Sequence, residues 1–93
     1  MKLNQKQQEA YDRFYETTID DGVLDSRTEL LVGLAAAMAM NCQPCTAYYL
    51  KRCKTAGVPK EQIQSTLAKV MAVAAGQKRL QAEETLRHLA TGY

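Results

Sequence analysis

This chain has no tryptophan, one phenylalanine and one histidine, and no apolar run reaches the ~18 residues of a membrane span. Charge of one sign is lacking too. Twelve basic against ten acidic residues leave +2 over 93 residues, which makes no case for nucleic acid from composition. The opening MKLNQKQQEA is too polar for the apolar core of a signal peptide. Three cysteines, an odd number with no export signal, point to a reducing compartment, most simply the cytoplasm. Strand patterns, repeats and low-complexity tracts are missing as well. What remains is 46% hydrophobic and 24% charged residues, the composition of a folded globular chain, short enough for a single domain over 1–93.

The apolar residues recur at helical spacing in four stretches, so an all-α fold is expected. In the first, up to about residue 20, Leu3, Ala10, Tyr11, Phe14, Tyr15 and Thr18 follow three- and four-residue steps. Asn4 is the candidate N-cap and Asp20-Asp21-Gly22 the turn that ends it. The second begins with Ser26-Arg27-Thr28-Glu29, which reads as a capping box with Ser26 as the cap. It continues through residues 30–40 as an unbroken apolar, alanine-rich segment, the signature of a helix buried on every side. Three short helices cannot easily cover such a segment, so self-association is expected.

Pro44 forbids one straight helix from residue 26 to 56, because it would remove a hydrogen bond and collide with the carbonyl of Met40. The pattern predicts a break near residues 41–43, with Pro44 in the first turn of a third helix that stops at Gly57. The fourth helix starts at Pro59 and carries Ile63, Leu67, Val70, Met71 and Ala74 on one stripe. Gly76 either ends it or merely weakens it, so residues 78–91 form a fifth helix or a continuation.

All three cysteines fall in NCQPCTAYYLKRC, residues 41–53. A break near Gln43 sets Cys45 in the first turn of a helix, where free amides and the macrodipole stabilise a thiolate. Cys42, three residues earlier, is in reach of a short disulfide across that turn. Three readings stay open on these residues. The pair is a reactive dithiol, or part of a zinc site with Cys53 and His88, or a set of small core residues. The zinc reading lacks the second closely spaced ligand pair that structural sites usually show. Cys53, on the same side of its helix as Tyr49, reads as core, and His88 as solvated.

The ordered combination is more specific than any part of it. DDGVLDSRTELL, the alanine-rich helix, NCQPC, a helix ending in Ala-Gly and then VPKEQIQSTLAKVMAVAAG resemble the carboxymuconolactone decarboxylase family, in its alkyl hydroperoxidase D-like branch. The resemblance spans about residues 20–90, so residues 1–20 read as an added N-terminal helix and 21–90 as the family core. It implies a small all-α domain around a central buried helix hairpin, assembled as a dimer, trimer or hexamer, with no organic cofactor and no metal. It further implies that Cys45 attacks a hydroperoxide, that Cys42 resolves the product, and that Glu29 helps deprotonate the attacking thiol. A dithiol reductant or a redox partner protein would then close the cycle. Where that branch reads C-x-x-C-x-x-x-H, this chain has Tyr49, a hydroxyl whose ordinary pKa near ~10 makes it a poor base. Dithiol–disulfide exchange does not need that base.

Two other readings belong beside this one. One is an oligomer of the same fold whose cysteines are inert. In the other, TAGVPKEQIQSTLAKV (residues 55–70) has the outline of a helix-turn-helix, in which Lys60, Gln62, Gln64, Ser65 and Lys69 would face DNA, opposed by Glu61. The apolar run that follows and the modest Lys51, Arg52, Lys54 cluster, which reads as a solvated face, make nucleic acid the weaker expectation.

Overall fold

The computed structural model describes residues 2–90 and 92–93. They form four α-helices: α1 (Gln5–Thr17), α2 (Ser26–Ala39), α3 (Gln43–Thr55) and α4 (Lys60–Leu89). Among the described residues there is no strand, and no helix is long and apolar enough to cross a membrane. The expectation of an all-α chain holds. Residues 1 and 91, the first of the expected domain and the last of the stretch 78–91, lie outside the described residues.

Helix α1 is capped as expected by Asn4, whose Oδ1 accepts from the amide of Gln7, and Gln7 returns the bond to the amide of Asn4. It ends at Thr17, three residues before Asp20. Asp21 Oδ1 accepts from the amide of Val23 at 2.9 Å and shapes the turn that leads to α2. The cap of α2 is a correction. Asp25, not Ser26, is the N-cap, and its carboxylate accepts from the amide and hydroxyl of Thr28 at 2.8 and 3.0 Å. A carboxylate at that position also meets the positive end of the helix, which a serine hydroxyl cannot do as well. Glu29 is thereby released from capping.

Helix α2 is the centre of the molecule, with α3 packed on one side and α4 on another. Leu30, Leu34 and Ala37 recur along one stripe of it and are buried against Tyr49 and Cys53 of α3, with Val58 and Ile63 adding cover. Burying a leucine as fully as Leu34 contributes about 1.5–3 kcal/mol. The helix is not covered all round within one chain, however: Val32 remains 53% and Met40 77% exposed.

The break between α2 and α3 lies where Pro44 demands it. Asn41 takes the left-handed conformation, φ 56°, and donates to the carbonyl of Met38, while the amide of Cys42 reaches the carbonyl of Ala37. These two bonds close α2 in a Schellman motif, with asparagine in the position usually held by glycine. The same residue Cys42 is the N-cap of α3. Gly57, φ 72°, repeats the motif at the other end of α3, where Val58 donates to the carbonyl of Cys53.

Helix α4 runs without interruption through Gly76 to Leu89, so the segment after Gly76 is a continuation and not a fifth helix. Its expected stripe is only half realised. Ile63 and Val70 are partly covered, whereas Leu67 and Met71 are 45% and 62% exposed. Helix α1 likewise buries no residue fully and meets the rest through long side chains, Tyr15 above all.

Candidate active site

The turn that ends α2 and begins α3 delivers the two neighbouring cysteines to one place. Cys42 and Cys45 are joined by a disulfide, with Cα atoms 5.2 Å apart. The geometry gives each sulfur its own advantage. Cys42 Sγ, at the N-cap, accepts the amide of Cys45 at 3.3 Å, and Cys45 sits in the first turn and is exposed. The free amides of α3 and its macrodipole therefore act on both sulfurs, where the sequence pattern pointed to Cys45 alone.

Both cysteines open into a cleft of about 730 Å³ between α1 and the α2–α3 hairpin. Its walls carry tyrosines: Tyr11 and Tyr15 from α1, Tyr48 and Tyr49 from α3. Tyr49 lies one helical turn beyond Cys45 on the same side of α3 and is buried to 8% exposure. Its ring packs against α2 at Gly33, where a Cβ atom would collide with the ring carbons. Its hydroxyl is hydrogen-bonded to the hydroxyl of Tyr15. Burial, and then the bond to Tyr15, push the Tyr49 hydroxyl well above the ordinary phenol range. It is a proton holder through neutral pH.

Glu29 is placed elsewhere. It is buried one turn before Gly33 on α2 and pairs with Arg52 of α3 through two long contacts, 3.4 Å from Nη2 to Oε2 and 3.5 Å from Nη1 to Oε1. This pair lines a second cleft of about 550 Å³ with Asp20, Ser26, Tyr48 and Lys51. Of the four expected site residues the fold thus gathers Cys42, Cys45 and Tyr49 in one cleft and sets Glu29 in its neighbour. Arg52 links the two, with its guanidinium carbon 5.5 Å from the Tyr48 ring centre and 5.9 Å from that of Tyr49.

Two residues of this arrangement escaped the sequence reading. Arg52 sits in a basic cluster that reads as a solvated face, and it is the member turned inward. The signal for it was Glu29 itself, a carboxylate in an apolar helix that needs a buried partner. Tyr15 reads only as one apolar step of α1, and nothing in the pattern says that it meets Tyr49. Cys53 is core as expected, 2% exposed and free, and burial raises its thiol pKa, with Arg52 acting in the opposite sense. His88 is exposed on the last turn of α4, 3.7 Å from Glu84. Among the described residues no three His, Cys, Asp or Glu side chains converge as metal ligands. Gln62, one of the side chains a DNA-reading helix would need, is half-buried with its Oε1 enclosed and unpartnered.

Comparison with known proteins relates this chain to a sequence family and to a solved structure. The sequence model of the carboxymuconolactone decarboxylase family matches residues 5–90, which takes in α1 as well as the hairpin and α4. A crystal structure of a structural-genomics target from Methanobacterium thermoautotrophicum superposes with a TM-score of 0.83, covering 88% of this chain and 92% of that one at 23% identity. No curated protein matches the chain.

Proposed function

This chain belongs to the carboxymuconolactone decarboxylase family, and from that membership we propose that it is a thiol-dependent antioxidant protein of the alkyl hydroperoxidase D-like branch. In its reduced form Cys45 attacks the peroxide and becomes a sulfenic acid, and Cys42 condenses with it to the disulfide. The observation that carries the reading is the Cys42–Cys45 disulfide at the N-terminus of α3, with Cys45 exposed in the mouth of a cleft large enough for an organic molecule. Glu29, expected to take the thiol's proton, lies in the neighbouring cleft and instead holds Arg52 beside Tyr49, and Tyr49 takes the position of the branch's histidine. The cycle needs a dithiol or a dithiol protein to reduce Cys42–Cys45, which suits a reducing cytoplasm, and it needs no metal or organic cofactor. Nucleic acid has no part in it.

The working unit of the proposal is a homo-oligomer. A compact monomer of 10.4 kDa exposes about 5,400 Å², whereas this chain exposes 7768 Å². That excess is more than the ~800 Å² per partner of a standard interface, and much of it is apolar surface on α2 and α4.

The test is peroxide consumption by the reduced protein in the presence of a small dithiol. Cys45→Ser is expected to abolish it, and Cys53→Ala to leave it in place as long as the protein stays folded. Full activity in Cys45→Ser would refute the assignment.

A further inference from the structure

Resting on the peroxidase reading, the question left by the cleft is where the leaving group finds its proton. Attack of a Cys45 thiolate on the terminal oxygen of an alkyl hydroperoxide forms an S–O bond, breaks the O–O bond and expels an alkoxide. The sulfur is oxidised to the sulfenic acid and the peroxide is reduced by two electrons. The alkoxide is a much stronger base than a phenolate, so a phenol in the cleft can protonate it.

The cleft holds two phenols that are bonded to one another, Tyr15 on α1 and Tyr49 on α3, in the same cavity as both sulfurs. A pair of hydroxyls that share one hydrogen bond uses one proton for that bond and keeps the other free to donate. When the free proton leaves, the remaining bond is a charge-assisted one to the phenolate, and such bonds are stronger than neutral ones. The Glu29 carboxylate, paired with Arg52 close by, opposes that charge, so the anion lasts only until solvent returns the proton. Each hydroxyl is also held in place. Tyr49 packs against Gly33 and makes a T-shaped contact with Tyr48, ring centres 5.1 Å apart, and Tyr15 leans on Tyr11 at 6.1 Å.

We infer that the Tyr15–Tyr49 hydroxyl pair is the general acid of this cleft: it protonates the alkoxide as the O–O bond breaks and is reprotonated by solvent. Helix α1 is then part of the active site, contributing Tyr15, and the tyrosine that stands at position 49 has a working role as a donor, where a histidine would serve as a base. The raised pKa of Tyr49 agrees with a group that keeps its proton until a strong base appears.

A change of leaving group tests this. Single-turnover formation of the Cys42–Cys45 disulfide is followed in the reduced protein with tert-butyl hydroperoxide, whose alkoxide needs a proton, and with peracetic acid, whose acetate does not. Tyr15→Phe and Tyr49→Phe each keep the ring. Loss of a general acid costs on the order of 100-fold, so both variants should slow the hydroperoxide reaction by about that factor while the peracid reaction changes by less than about threefold. Equal slowing with both oxidants, or no slowing with either, would overturn the inference. If Tyr49→Phe loosens the hairpin, Tyr15→Phe carries the comparison, since Tyr15 is only half-buried. A wild-type protein that forms no disulfide with either oxidant would instead overturn the peroxidase reading, and the general acid with it.

Discussion

Gly33 and Tyr49 set how closely α2 and α3 can approach. The absence of a side chain at 33 lets the Tyr49 ring lie on the α2 backbone, and that contact aims the hydroxyl at Tyr15. Gly33→Ala must push the ring aside. Overpacking of this kind costs typically ~1–3 kcal/mol, so the urea midpoint is expected to fall accordingly with an unchanged m value. Disulfide formation with a hydroperoxide should slow in the same variant, because its donor has moved. A variant as stable as the parent would mean that the ring shifts freely and that the close contact is not structurally required. Gly33 lies within the apolar run of α2, and the ring that meets it was not legible in the sequence. Helical spacing reports which face a residue occupies, not which residue of another helix comes to meet it.

At the scale of elements, the turn between α2 and α3 is the structural origin of the site, and it was the most legible feature in the sequence. Pro44 excludes a continuous helix, and the break fell where its ring requires. The left-handed residue Asn41 is what brings Cys42 to the N-cap of α3. Asn41→Gly is expected to fold as the parent does, whereas Asn41→Val should lose about 1–2 kcal/mol, the cost of a left-handed conformation for a residue with a bulky Cβ. Chemical denaturation of the two variants side by side checks this, and equal stability would show that the turn tolerates another path. The N-terminus of α2 was read one residue late, since Ser26 and Glu29 satisfy the capping-box pattern while Asp25 provides the stronger acceptor. The ambiguity after Gly76 could not be settled from pattern alone either. A glycine lowers helix propensity by about 1 kcal/mol, a penalty that the good helix formers flanking it offset.

For the molecule as a whole, surface area is the telling quantity. The radius of gyration of 17.8 Å stands against about 12 Å for a compact domain of this length, and every residue of α4 after Val70 except Gly76 is exposed. The stripe expected on α4 was sound as a pattern, yet Leu67 and Met71 face solvent in the single chain; periodicity does not say whether the cover comes from the same chain or another. Sedimentation is therefore expected to give a multiple of 10.4 kDa, and Leu67→Glu combined with Met71→Glu should shift it toward the single chain. A parent protein that sediments at 10.4 kDa would remove the oligomer from the account. The central claim, that Cys42 and Cys45 are a working redox pair, is tested most directly by thiol mapping with mass spectrometry, on reduced protein before and after one equivalent of an organic hydroperoxide. Rapid appearance of the Cys42–Cys45 disulfide, with the buried Cys53 left as a thiol, is expected; three thiols that all stay reduced would contradict the redox role.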